Sequence, residues 1–211
     1  MTKRDYTHGE EIANFITHYV GTGLAVAALV LLVVQAVTKG GTLHIISYTI
    51  FGAALIFSYS MSGTYHLVPK GCTAKKVMKI LDHSAIYVLI AGSYTPYLLT
   101  VLKGNEAWIL FGVQWILVVI GVLMEIKISG KYMYLTTGVY LAMGWMVVSV
   151  FGKLQESLNS TSLWLLIAGG IAYTVGTIFY VMKKVRYMHM VWHLFVLAGS
   201  ILIFLSVYLS V

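Results

Sequence analysis

Seven stretches of this chain, roughly residues 15–37, 44–66, 83–102, 107–125, 132–151, 162–182 and 189–210, each approach the about 20 mostly apolar residues that a helix needs to cross a bilayer. The pieces between them are short and polar: TKGGT, VPKGCTAKKVMKILD, KGNEA, KISGK, GKLQESLNSTS and KKVRYM. None can hold a soluble domain. Hydrophobic residues make up 59% of the chain and charged residues 10%, against about a quarter charged in soluble domains. A water-soluble fold of 211 residues could not hide that much apolar surface; a bilayer can. The expectation is an all-α polytopic membrane protein, one seven-helix transmembrane domain over residues 1–211, with no internal repeat.

The basic residues give the orientation. Eleven of the fourteen fall on the N-terminal side of the predicted bundle: Lys3, Arg4, Lys70, Lys75, Lys76, Lys79, Lys127, Lys131, Lys183, Lys184 and Arg186. Only Lys39, Lys103 and Lys153 fall on the other side. The positive-inside rule then puts the N-terminus in the cytoplasm and the C-terminus outside, opposite to G-protein-coupled receptors. The formal charge of +7 therefore reads as membrane topology, and no nucleic-acid partner is expected. The single cysteine, Cys72, excludes an intrachain disulfide and reads as an incidental reduced thiol. No cleavable signal peptide is expected. The expected location is the cell membrane, in a bacterium the inner membrane, with membrane lipid as the surrounding partner; protein partners are not legible.

Small residues at four-residue spacing, Ala168, Ala172 and Gly176 on the sixth segment and Gly138 and Ala142 on the fifth, predict faces where helix backbones approach. Pro96 should kink the third segment or end a turn there. Trp108, Tyr132 and Trp164, at segment ends, suit the interfacial belt.

Ionisable groups within apolar helices are costly and usually functional, and here they share one height. His66 lies at the N-terminal-side end of the second segment with Ser62 one turn deeper. Asp82 and His83 stand at the expected entry of the third, His189 and His193 in the first turns of the seventh, and Glu11, Asn14 and His18 at the start of the first. His44 falls on the opposite side, and His8 and His44 read as ordinary interfacial histidines; His83, about 100° round the helix from Asp82, reads as structural. His189 and His193 are four apart, so both project from one helix face. Two such imidazoles can grip one metal ion. His66 from another helix would complete three protein positions on zinc, leaving a fourth for water. Asp82, at the right depth, could hold that water or orient a ligand.

At these residues the sequence resembles the hemolysin III family, the bacterial branch of the progestin and adipoQ receptor family. The likeness runs over nearly the whole chain: Glu11, Asn14, Thr17 and His18 in EEIANFITHYVG, Ser62 and His66 in SGTYH, Asp82 in LDHSAIYVLIAGSYTP, and His189 and His193 in HMVWH. The resemblance implies a seven-helix bundle with zinc near the cytoplasmic face. It implies His66, His189 and His193 as ligands, Asp82 holding water at the metal, and Ser62 lining the same site. The wider superfamily includes alkaline ceramidases, which hydrolyse a lipid amide; that likeness is analogy.

Two functions follow as expectations. One is a zinc-dependent hydrolase of lipid amides or esters, with Asp82 as general base and Ser62 steadying the oxyanion. Its substrate would enter sideways from the bilayer, and its outcome would be control of membrane lipid composition or fluidity. The other is a non-enzymatic receptor or sensor in which zinc ties helices together. A hemolytic pore is disfavoured, because no charged stripe is present to line a wide channel.

Overall fold

The computed structural model describes residues 5–128 and 132–210. Lys3, Arg4 and Lys131 lie outside the described residues. Among the described residues eight α-helices build seven spans: α1 (His8–Lys39), α2 (Thr42–Leu67), α3 (Thr73–Pro96), α4 (Asn105–Ile128), α5 (Met133–Trp145), α6 (Phe151–Ser157), α7 (Ser160–Val181) and α8 (Met188–Tyr208). The fifth span, Met133–Ser157, consists of α5, a 3-10 segment over Met146–Val150, and α6. All seven are long and apolar enough to cross a membrane, and there is no strand among the described residues.

Two helices begin well before their apolar stretches. α1 starts at His8 because Thr7 and Glu10 form a capping box: the Thr7 side chain accepts from the Glu10 N–H, and the Glu10 carboxylate accepts from the Thr7 N–H at 2.9 Å. α3 starts at Thr73, about two and a half turns before Asp82. Asp82 and His83 are thus not at the helix entry, as the hydropathy boundary suggested, but inside the helix. Lysine does not stop a helix; it only keeps that turn out of hydrocarbon.

Pro96 changes the helix type. From Tyr97 to Val101 the chain makes a π-turn, closed by the Leu102 N–H on the Tyr97 carbonyl at 2.8 Å, as a missing proline N–H allows.

α1 packs along α2, α2 along α3 and α7 along α8, and α1 closes against α8. Leu32, Tyr48, Phe51, Leu55 and Tyr59 fill the seam. α2 and α3 approach closely at Gly92, where a β-carbon would lie 2.5 Å from that of Ala54. On α7 the tight contacts are made by Gly169, against Ile203, and Gly176, against Phe195; Ala168 and Ala172 are only partly buried. The predicted fifth-span face is not a packing face. Gly138 and Ala142 are exposed, and a β-carbon on Gly138 would meet nothing within 4 Å. The inward face of α5 is instead Thr136, Thr137, Tyr140 and Met143. Ile109, Val119, Trp108 and Trp164 are among the apolar residues left exposed around the bundle, as a lipid-facing surface requires.

Candidate metal centre

The end of the bundle that carries the N-terminus also carries the converging polar residues. His66 from the last turn of α2 and His189 and His193 from the first turns of α8 each offer a ring nitrogen, and these three atoms lie within 4.8 Å of one another. His66 is 4% exposed, His193 fully buried, and His189 partly buried. The ring centroids are 4.6 Å (His189–His193), 5.2 Å (His66–His189) and 5.3 Å (His66–His193) apart.

Hydrogen bonds from α1 decide which nitrogens are available. The Glu11 carboxylate, which can only accept, lies 2.6 Å from His66 Nδ1. Nδ1 therefore carries the proton and Nε2 keeps its lone pair. The Asn14 amide lies farther from the same Nδ1, at 3.4 Å. Thr17 Oγ1 donates to the Ala13 and Asn14 carbonyls at 2.9 Å, so toward His193 Nδ1, 3.2 Å away, its oxygen must accept. His193 is fixed in the same tautomer. The Nε2 atoms of His66 and His193 and both ring nitrogens of His189 are buried without a hydrogen-bond partner. Buried polar groups normally find partners. Both His18 ring nitrogens are likewise without a partner, but only His66, His189 and His193 bring ring nitrogens within 4.8 Å of one another; three such imidazoles are a donor set that fits a divalent metal.

His18 stacks on His193 with centroids 3.5 Å apart and an interplanar angle of 22°, and meets the Tyr59 ring edge-on. It supports the centre from behind and was legible by depth and by the resemblance. Tyr6 stacks on His189 at 5.1 Å from the outer side. Burial, then the neighbouring Tyr180 and Tyr65, push its phenol far above the ordinary range, so it remains a neutral hydroxyl.

A cavity of about 680 Å³ runs between α3, α5 and α7; it is lined by His18, which stacks on His193, and not by the three clustered histidines themselves. Its polar end holds His18, Ser62 and Asp82, all buried, and the Ser62 hydroxyl has no partner. Its far end is aliphatic, with Leu98, Leu102 and Leu154. Between α5 and α7 its wall includes Trp145, Val148, Gly170 and Ile171, which are themselves exposed, so the cavity reaches the lipid-facing side.

The structure therefore brings together His66, His189, His193, Glu11, Asn14 and His18, with Ser62 and Asp82 on the adjoining cavity wall. It leaves His44 at the opposite end, where its Nδ1 accepts the Gly41 N–H, and His8 and Cys72 exposed. Sequence reasoning missed three residues. Glu10 also accepts the Tyr187 N–H at 2.9 Å, holding that residue at a left-handed φ of 62° just before α8; the Thr-x-x-Glu capping pattern was the readable signal. Thr17 was noted only as part of a motif. Glu125, on α4, is fully buried with Oε2 3.2 Å from His83 Nδ1, so His83 belongs to a buried acid–imidazole pair. A lone acid in an apolar segment was the signal there.

The sequence profile described as haemolysin-III related matches residues 6–204. The chain is 44% identical over 202 residues to the hemolysin-3 homolog of Bacillus subtilis (strain 168), covering 96% of this chain and 94% of that one. It is 39% identical over 209 residues to hemolysin-3 of Bacillus cereus, covering 98% and 94%. A more distant likeness, 26% over 208 residues, covers 90% of this chain and 80% of the human monocyte to macrophage differentiation factor.

Proposed function

The chain belongs to the haemolysin-III related family of multi-pass membrane proteins, and from that premise we propose that it is a zinc-dependent hydrolase of lipid amides or esters. The observation that carries the reading is the set of unpartnered imidazole nitrogens within 4.8 Å, beside an apolar cavity lined by His18, Ser62 and Asp82. Imidazole donors suit zinc, and three histidines with no fourth protein ligand among the clustered residues is the pattern of catalytic zinc. A zinc ion held by His66, His189 and His193 would supply Lewis-acid activation of water near neutral pH and polarisation of a carbonyl.

The chain's own residues do the rest. Asp82, on the cavity wall, accepts the proton from the attacking water and returns it to the leaving group. The Ser62 hydroxyl, which has no protein partner, donates to the developing oxyanion. Glu11 and Thr17 hold two ligand rings in register, while Asn14 and His18 pack the first helix against them. The apolar cavity receives the acyl chain from the side, between α5 and α7, and keeps bulk water from the reaction. With the N-terminus inside, as the basic residues predict, the chemistry lies at the cytoplasmic leaflet, and the role is adjustment of membrane lipid composition and fluidity.

The second reading, a receptor or sensor with structural zinc, draws on the fact that the three ligands come from two helices, α2 and α8, which an ion would tie together. A lytic pore gains no support from a cavity whose walls are mainly aliphatic and aromatic.

The test has two parts. Purified protein should carry about one zinc per chain, as a three-histidine site implies, and His189→Ala with His193→Ala should lose it. On a panel of lipid amides and esters, wild type should turn over at least one member with a rate abolished by chelator and by Asp82→Asn. Equal, chelator-insensitive rates for both proteins would remove the hydrolase and leave the structural-zinc reading.

A further inference from the structure

The shape of the 680 Å³ cavity restricts what can fill it. On α3 its lining residues recur every three or four positions from Asp82 through Ile86, Ile90 and Ser93 to Tyr97, which is one face of one helix. On α7 they recur likewise from Tyr180 through Thr177, Tyr173 and Gly170 to Leu166. Among the described residues α3 and α7 are not a closely packed pair; the cavity is a slot between them and follows both. At the helical rise, Asp82 to Tyr97 spans about 22 Å and Tyr180 to Leu166 about 21 Å. A hydrocarbon core is about 30 Å thick, so one leaflet supplies about 15 Å. The slot is deeper than a leaflet.

It is polar at one end only. Along its length the hydroxyls turn back onto their own helices: Ser93 donates to the Ile90 carbonyl at 2.7 Å, Thr137 to Met133 at 2.7 Å and Thr174 to Gly170 at 2.8 Å. At the Asp82 end the Ser62 and Tyr180 hydroxyls and both His18 ring nitrogens are buried without a partner. The opposite end is shut by Leu98, Leu102, Val150, Leu154 and Ile203, all buried members of the apolar core. The opening between α5 and α7 lies in the side wall, so a chain enters sideways but cannot extend beyond that end. The volume, spread over this length, admits one polymethylene chain and not two abreast.

We infer that the large cavity is a length gauge for one fully extended chain, held with a polar group beside Ser62 and Tyr180 and its methyl end against Leu98 and Val150. An extended chain advances about 1.25 Å per carbon, from bonds of about 1.52 Å at near-tetrahedral angles, so about 17 carbons fill the slot. A longer chain must fold back or leave part of itself outside. A shorter one leaves an apolar void, and a cis double bond bends the chain out of line. The inference rests on the proposed reading of this cavity as an acyl-chain site and adds which chains it takes.

Binding is read by displacement of trans-parinaric acid, a straight fatty acid that is its own fluorophore, from purified protein in neutral detergent. The competitors are 1-alkanols from dodecanol to docosanol, which cannot be hydrolysed. They are compared at equal mole fraction in the micelle, so the detergent interior is the reference for every chain and only fit to the slot differs. Hexadecanol and octadecanol should displace the probe best. Dodecanol should be about tenfold weaker, the cost of leaving roughly 60 Å³ unfilled, and docosanol should be weaker by a similar factor. Elaidyl alcohol, straight and trans, should outcompete its cis isomer, oleyl alcohol. Val150→Phe, which fills the closed end, should move the optimum to a shorter alkanol, and Leu98→Ala, which deepens it, to a longer one. Equal displacement by all lengths overturns the gauge and leaves the acyl-chain site standing. An optimum that neither variant moves overturns the assignment of the closed end. Parity of the cis and trans alcohols overturns the extended chain. Failure of every alkanol to displace the probe overturns the acyl-chain reading as well.

Discussion

Glu11 contributes no metal ligand, yet it should be among the residues that set metal affinity. Its carboxylate receives the Nδ1 proton of His66 at 2.6 Å in a setting where His66 is almost wholly buried. That contact holds the ring in the tautomer that presents Nε2, and its negative charge makes the ring a stronger donor. Glu11→Gln keeps the size and an accepting oxygen but removes the charge, and it leaves Lys75, 3.5 Å from Glu11 Oε1, without its anion. Loss of such a carboxylate partner typically costs about 10–100-fold in metal affinity, or about 1.4–2.8 kcal/mol. Thr17→Val, which removes a neutral acceptor from His193 at 3.2 Å, should cost less, about 1 kcal/mol or some fivefold. Competition against a zinc indicator of known affinity, at fixed pH with protein in detergent, reads both. The order should be wild type, then Thr17→Val, then Glu11→Gln. If Glu11→Gln binds within twofold of wild type, the tautomer argument fails; if Thr17→Val is the weaker of the two, the assignment of charge as the larger effect fails.

Metal should also stabilise the fold: since its three ligands join α2 to α8, adding zinc to 1,000 times its Kd should raise unfolding free energy by about 4 kcal/mol, read as a rise in the thermal midpoint that chelator reverses and His193→Ala lacks. Gly92→Ala should destabilise by about 1–3 kcal/mol because α2 and α3 must part to seat a β-carbon 2.5 Å from Ala54, whereas Gly138→Ala should leave the midpoint unchanged. A double-mutant cycle of His83→Ala and Glu125→Ala should show a coupling of about 1–3 kcal/mol in the same melt; additive effects would mean the pair contributes nothing. Gly170→Trp, on the lipid-facing wall of the large cavity, should slow entry of a fluorescent fatty acid while leaving zinc content at wild-type level.

The spans were legible because seven apolar runs admit no other fold, and the site was legible because ionisable residues at one depth are rare enough to notice. The His189–His193 spacing alone put two imidazoles on one face. Three things were not legible. Hydropathy cannot see a helix that extends past hydrocarbon, so the lysine-rich first turns of α3 were taken for loop. Four-residue spacing of small residues says that a narrow face exists but not which way it turns; on α5, Thr136 and Tyr140 claimed the inside and left Gly138 and Ala142 to the outside. Pairing between distant helices, such as Glu125 with His83, has no local signature, since each residue is unremarkable until the other is found beside it.

The first helix carries the remaining argument. It supplies no nitrogen to the cluster, but Glu11 orients His66 on α2, Thr17 orients His193 on α8, and Glu10 caps its own helix while holding the backbone of Tyr187 just ahead of His189. All lie on α1 within two turns of one another, so one rigid element sets the angle of two of the clustered imidazoles and the starting point of the third. A histidine cluster that only packed three helices together would not need both Nδ1 atoms bonded and both Nε2 atoms left bare. Packing is indifferent to tautomer; metal binding is not.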